Sequence, residues 1–117
     1  MSNHTGKAGE NFTAGWLERQ GFQIVARNFH SRYGEIDIIA EDEKYIVFVE
    51  VKTRKYGAMV SALEAITWEK QRKILLTAET YLLKSPSTLQ PRFDVATVST
   101  LHGVPEELQY FPNAFGL

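Results

Sequence analysis

The sequence contains no cysteine among its 117 residues, which excludes disulfide bonds and thiolate chemistry. It also contains no apolar run long enough to cross a bilayer, and the polar stretch from Met1 to Glu10 lacks the apolar segment of a secretion signal. We therefore expect a cytoplasmic protein with no membrane partner. The hydrophobic share of 44% is ordinary for a globular protein, and we expect a single domain over residues 1–117.

Several catalytic signatures are absent as well. His4, His30 and His102 are too scattered for the spacing of zinc ligands. The sequence has no glycine-rich phosphate-binding loop, and no serine lies in the context of a nucleophile elbow. The formal net charge of -1 argues against a strongly basic nucleic-acid coat. Carboxylates and lysines are the remaining candidates for chemistry.

Two alternating stretches, Gly34–Ala40 and Tyr45–Arg54, predict neighbouring β-strands. The acidic turn between them is short enough for a hairpin, so the strands should run antiparallel. Their pairing brings Asp37 near Glu50 and Lys52 on a common face. Two carboxylates and an ammonium at the ends of apolar strands are costly unless a metal, a substrate or another partner compensates their charge.

The rest of the chain predicts an α/β protein with a mixed β-sheet flanked by helices. We expect an antiparallel meander of three strands, followed by a helical crossover and a further strand. Residues 1–7 and the segment Asn28–Tyr33 are predicted to be irregular. The other predicted elements are a helix at Gly9–Gln20, a strand at Phe22–Phe29, a helix starting between Val60 and Thr67 and ending near Lys84, a strand at Arg92–Val98 and a short final strand at Leu108–Phe111.

The carboxylates Asp37 and Glu50, with the main-chain carbonyl of Val51, form a donor set suited to Mg²⁺ or Mn²⁺, because hard cations take oxygen ligands and keep several waters. A bound metal acidifies a water molecule, and Lys52 is placed to position or deprotonate that water. Glu10 on the first helix could reach the metal through water or orient the nucleophile. The alternative is that Glu10 has no role in the site and is present because a carboxylate is favoured near a helix N-terminus.

Four polar residues beyond this set are candidates for phosphate contacts, which give affinity without sequence readout. They are Arg54, Lys55, Lys70 and Gln71. An equally good interpretation is that Lys70 and Gln71 are long side chains at the rim of the core that extend their polar ends into solvent. Arg92 and Asp94 alternate onto one face of a later strand, and we prefer a structural salt bridge for them. The charge pattern alone favours solvated acidic and basic faces over a phosphate-binding surface.

Family-like segments extend over nearly the whole chain. They are Gly9-Glu10, Arg27-Asn28, Gly34-Glu35-Ile36-Asp37, Val47-Phe48-Val49-Glu50-Val51-Lys52-Thr53-Arg54, Lys70, Arg92-Phe93-Asp94-Val95 and Ala114-Phe115. Together they resemble the PD-(D/E)xK nuclease superfamily and, more closely, the small bacterial YraN-like family, which is similar to Holliday-junction resolvases. In this sequence Ile36 stands where the superfamily has a proline before its first acidic residue.

The resemblance implies a restriction-endonuclease-like fold, a metal site at Asp37 and Glu50, a catalytic Lys52 and a supporting Glu10. It also implies a Mg²⁺- or Mn²⁺-dependent endonuclease that hydrolyses phosphodiester bonds of DNA, including branched or structured DNA. A homodimer is an option because symmetric junction cutters need two sites. The alternatives are a non-cleaving nucleic-acid-binding module of nuclease ancestry and a protein-interaction subunit whose charged strand ends are structural.

Overall fold

The computed structural model describes residues 4–56 and 66–116, and this part of the chain forms two helices and five strands. In chain order they are α1 (His4–Arg19), β1 (Gln23–Ser31), β2 (Gly34–Glu41), β3 (Tyr45–Lys55), α2 (Trp68–Lys84), β4 (Gln90–Leu101) and β5 (Val104–Phe115).

The five strands form one mixed sheet in the order β1-β2-β3-β4-β5. Antiparallel pairs join β1 to β2, β2 to β3 and β4 to β5, and the β3–β4 pair is parallel. A parallel pair requires a crossover, and the connection from β3 to β4 contains α2. The predicted meander and the strand after a helical crossover are therefore confirmed, and the protein is a mixed α/β protein.

Element boundaries differ from the sequence predictions at several places, and the strand predicted at Arg92–Val98 runs from Gln90 to Leu101. The prediction that residues 1–7 are irregular is wrong from His4 onward, where α1 begins. The predicted loop from Asn28 is wrong up to Ser31, because β1 continues past Asn28, which takes a positive φ of 50°. Asparagine is one of the few residues other than glycine that adopt this conformation readily. Part of the predicted start of the second helix lies in residues 57–65, outside the described chain; α2 itself is capped by Thr67.

The final strand is three times the predicted length. Strand β5 runs from Val104 to Phe115 and pairs with β4 along almost its whole length. Pro105 and Pro112 interrupt the alternation that identifies a strand from sequence, and a proline in a sheet is tolerated mainly on an edge strand. Strand β5 is such an edge.

The two helices cover opposite faces of the sheet. On one face α1 packs through Ala14 and Leu17 against a buried cluster that includes Val47 and Val49 of β3. On the other face α2 packs through Ile74 and Ala78 against a cluster that includes Phe48. Successive residues of β3 therefore point to opposite helices, as the alternation predicted, and this central strand is buried on both sides.

The alternation of β2 changes at Asp37. Strict alternation over Gly34–Ala40 predicts that Ile36 and Ile38 share a face. This is wrong, because Ile38 belongs to the cluster under α1 and Ile36 to the cluster under α2. Paired residues of β2 and β3 extend only as far as Ile38 and Val49. Beyond that pair, the side chain of Asp37 lies where the next main-chain pairing between β2 and β3 would be expected. The two strands thus separate where the carboxylates begin.

Candidate active site

Asp37 and Glu50 are buried carboxylates at the point where β2 and β3 separate, with 8% and 6% of their surfaces exposed. The main-chain N–H of Val51 donates to Oδ2 of Asp37 at 2.7 Å. The Asp37 and Glu50 side chains line the same cavity and interact electrostatically. The structure therefore brings together the two acids that the strand pattern placed on a common face.

Burial raises the pKa of the Asp37 carboxyl to about 8, and the negative charge of Glu50 adds to the shift. The hydrogen bond from Val51 opposes it, and the charge of Glu10 contributes a smaller increase. A second negative charge beside Glu50 is costly in a poorly solvated site, so the Asp37 carboxyl retains its proton near neutral pH. This carboxyl therefore ionises readily only when a cation compensates its charge.

Two lysines converge on one oxygen of Glu50. Nζ of Lys70 lies 2.7 Å from Oε2 of Glu50, and Nζ of Lys52 lies 3.4 Å from the same atom. Burial, followed by the contact with Lys70, lowers the pKa of Lys52. Burial is the largest single effect on Lys70 and lowers its pKa, but the hydrogen bond to Glu50, the contact with Lys52 and the nearby negative charges together outweigh burial and raise the pKa. The two ammonium groups are therefore electrostatically different.

Glu10 reaches the site from α1 and is held by β1. Nδ2 of Asn28 donates to Oε1 of Glu10 at 3.0 Å, and Nη2 of Arg27 lies 3.8 Å from the same oxygen. The sequence analysis gave Arg27 and Asn28 no role beyond the family resemblance. These partners are 17 and 18 residues away in the chain, and Asn28 takes a positive φ within β1.

A cavity of about 280 Å³ opens onto these groups and is lined by Glu35, Asp37, Glu50, Val51, Lys52 and Lys70. A neighbouring cavity of about 200 Å³ shares Glu35 and Lys70 with it and continues toward Thr67 and Lys73 at the start of α2. Nε2 of His30 lies 2.8 Å from Oε2 of Glu35, a residue whose role the sequence left open. The pairing directs Glu35 toward β1 at the rim of the cavity.

The other predicted phosphate contacts lie farther from the carboxylates. Gln71 donates to the carbonyl of Ile66 at 3.2 Å and so braces the start of α2. Nη1 of Arg54 donates to the carbonyl of Thr53. Lys55 is exposed and lines a separate cavity at the end of β3. Lys70 is thus the member of this group that contacts the site acids directly.

Arg92 and Asp94 form the salt bridge that we preferred for them. Asp94 is fully buried and accepts hydrogen bonds from Nε and Nη2 of Arg92 at 3.0 and 2.9 Å. It also accepts from the Tyr110 hydroxyl and from the main-chain N–H of Asn113, two partners on β5 that the sequence analysis missed. The guanidinium stacks over Tyr45 at 4.5 Å from the ring centre. This network joins β4 to β5 and is structural.

Within residues 4–56 and 66–116, no group of three or more histidine, aspartate or glutamate side chains is arranged to hold a metal ion. The available donors are the carboxylates of Asp37 and Glu50 together with Val51, which lines the same cavity. Two carboxylates and a carbonyl suit a hard cation that keeps several of its waters. The buried negative charge and the all-oxygen donors therefore fit Mg²⁺ or Mn²⁺.

Comparison with known proteins gives the family. A family model described as "Uncharacterised protein family UPF0102" matches residues 9–98. The chain belongs to UPF0102. This confirms the predicted YraN-like membership.

Relatives in UPF0102 match the chain over nearly its full length. A UPF0102 protein of Syntrophotalea carbinolica is 43% identical, with 94% of this chain and 89% of the relative covered. A UPF0102 protein of Geobacter metallireducens is 44% identical, with 100% and 98% covered. A third, of Dichelobacter nodosus, is 43% identical over 92% of this chain and 86% of its own length.

Neither helix in the described part of this UPF0102 chain has the length and apolar character needed to cross a membrane.

Proposed function

We propose that this UPF0102 protein is a Mg²⁺- or Mn²⁺-dependent endonuclease that hydrolyses phosphodiester bonds of DNA. In this proposal the mixed sheet and its two helices are a restriction-endonuclease-like fold, and the chain is a member of the PD-(D/E)xK superfamily. The observation that carries the proposal is the meeting of Asp37, Glu50 and Lys52 in one cavity, with Glu10 close enough to affect the pKa of Asp37.

The chemistry follows from the donors and the lysine. A cation held by Asp37, Glu50 and the carbonyl of Val51 would supply a water of lowered pKa and would polarise a phosphate oxygen. Lys52, with its lowered pKa, is suited to accept a proton from the attacking water and to return it to the leaving oxygen. In its protonated form it stabilises negative charge on the phosphate. Glu10, fixed by Asn28, orients the water.

Hydrolysis requires only water as co-reactant. The water oxygen forms a bond to phosphorus, one phosphorus–oxygen ester bond breaks, and the proton lost by water is balanced by the proton gained by the leaving oxygen. Flanking phosphates would be bound by Arg54 and Lys55 on β3 and by Lys70 on α2, without reading sequence. We propose branched or structured DNA as substrate and retain a homodimer as an option for symmetric junctions.

The test is a cleavage assay with the purified protein on junction, flap and single-stranded DNA, in Mg²⁺, in Mn²⁺ and in EDTA. We expect metal-dependent cleavage that Asp37→Ala and Lys52→Ala each reduce by about 10²-fold or more, a loss typical of removing one catalytic group. Lys84→Ala, an exposed change at the last residue of α2, is the matched control and should retain activity. Cleavage that survives in both site variants would come from another site or a contaminant.

A non-cleaving nucleic-acid-binding module is the second candidate. The pairing of Glu50 with Lys52 and Lys70 favours it, since these lysines leave less carboxylate charge for a metal. It predicts salt-sensitive DNA binding with no metal-dependent turnover. Robust multiple-turnover cleavage would eliminate it.

A further inference from the structure

The contact between Lys70 and Glu50 is the shortest ion pair of the site. The 2.7 Å separation of Nζ and Oε2 is that of a charge-assisted hydrogen bond. Glu50 is almost buried, with 7% of its side chain exposed, so little water competes for this oxygen. The ammonium of Lys70 therefore neutralises much of the charge that Glu50 would offer to a metal.

A divalent cation and Lys70 cannot use the same oxygen equally well. Mg²⁺ requires oxygen ligands at about 2.1 Å in near-octahedral geometry, and a positive ammonium beside it adds repulsion. Since Glu50 is a proposed ligand, a cation that binds there must weaken or break the ion pair with Lys70.

Lys70 is the lysine that can move. Its side chain is 42% exposed and comes from α2, whereas the Lys52 side chain is 18% exposed and follows Glu50 by two residues on the same strand. The neighbouring cavity of about 200 Å³ is also lined by Lys70, so room for a second position lies next to the first. That cavity is also lined by Glu35 and Glu69, so the displaced ammonium would have carboxylate partners there while staying at the mouth of the site.

We propose that Lys70 is the built-in counter-ion of the site, which a divalent cation displaces from Glu50 and which is then available to a substrate phosphate. The displacement makes metal and DNA binding mutually reinforcing, since the bound metal frees a cation for phosphate, and such coupling is reciprocal. It rests on the metal site of the proposed function and is independent of whether the bound DNA is cut.

The test is calorimetric titration of the full chain with Mn²⁺ in the absence of DNA. We expect Lys70→Met to bind Mn²⁺ about tenfold more tightly than the unmodified protein, because the competing charge-assisted hydrogen bond is removed. Lys70→Arg keeps a competing cation and should bind no more tightly than the unmodified protein. In a parallel titration with a DNA junction, Lys52→Ala and the double variant Lys52→Ala/Lys70→Met are compared, because the Lys52→Ala change prevents cleavage of the DNA. We expect Mn²⁺ to increase DNA affinity less in the protein that lacks Lys70.

Lys73→Met is the matched control, one turn from Lys70 on the same helix; within the described chain no contact joins Lys73 to the site carboxylates. It should change Mn²⁺ affinity by less than about twofold, as expected for a screened charge near the surface. If Lys70→Met and Lys73→Met increase Mn²⁺ affinity equally, the effect comes from the overall surface charge and not from the Lys70–Glu50 contact, and the proposed displacement is overturned.

Mn²⁺ binding that is unchanged or weaker in Lys70→Met also overturns the inference. In that case the proposed metal site still stands if Asp37→Ala abolishes Mn²⁺ binding. No Mn²⁺ binding by any of the proteins would overturn both. Mn²⁺ binding with the expected change but without cleavage would overturn only the nuclease activity.

Discussion

Replacing Asp37 by asparagine should stabilise the metal-free protein, and more so at high pH. The folded state raises the pKa of this carboxyl from 3.8 to about 8. A raised pKa means that the folded protein holds the proton more tightly than the unfolded chain does. The resulting stability is complete below pH 3.8 and is lost as the pH rises toward 8. Asparagine resembles the protonated acid at every pH and avoids this loss.

The size of the effect follows from the linkage relation. One proton corresponds to about 1.36 kcal/mol per pH unit, so the advantage of Asp37→Asn over the unmodified protein should grow by about 4 kcal/mol between pH 5 and pH 8. The assay is urea denaturation in EDTA at both pH values, and the observable is the free energy of unfolding. Glu43→Gln removes the same charge at an exposed site in the β2–β3 turn and should show no such growth.

Divalent cation should narrow the difference between the two proteins. A ligand that binds only the folded state at 100 times its Kd adds about 2.7 kcal/mol of stability. The unmodified protein should gain this at pH 8 in Mn²⁺, and Asp37→Asn should gain much less. An advantage of Asp37→Asn that is equal at pH 5 and pH 8 would refute the raised pKa of the Asp37 carboxyl.

Three further predictions concern packing, the buried salt bridge and the metal. Gly9→Ala should lower the free energy of unfolding by about 1–3 kcal/mol, because the added methyl group would overlap the hydroxyl of Thr53. Gly15→Ala on the same helix should leave the free energy of unfolding unchanged or raise it by up to about 1 kcal/mol. Equal effects of the two changes would contradict this close approach of α1 to β3. Asp94→Ala should cost about 3–5 kcal/mol, since it leaves the guanidinium of Arg92 without its partner, and a loss below 1 kcal/mol would contradict a structural role. EDTA should abolish DNA cleavage and excess Mn²⁺ should restore it; cleavage in EDTA would contradict the mechanism.

Local patterns predicted the centre of the sheet well. The alternation in Gly34–Ala40 and Tyr45–Arg54 needs only neighbouring residues to be recognised, and it correctly placed Asp37 beside Glu50. It also identified the faces of β3, because that strand is paired on both sides and stays regular.

The sequence was less informative where distant segments decide the structure. The length of β5 depends on its pairing with β4, and two prolines hide it from pattern analysis. The face of Ile36 depends on how β2 and β3 separate at Asp37. The anchoring of Glu10 by Asn28 and the pairing of Lys70 with Glu50 join residues 18 and 20 positions apart, and no local spacing encodes such contacts.

The most direct measurement is the anomalous scattering of a crystal soaked in Mn²⁺. The proposed site predicts a manganese peak within about 2–2.5 Å of carboxylate oxygens of Asp37 and Glu50 and of the Val51 carbonyl, with Nζ of Lys70 moved off Glu50. A well-occupied peak elsewhere, or none at saturating Mn²⁺ while Lys70 keeps its 2.7 Å contact, would contradict a metal centre at this place in the fold.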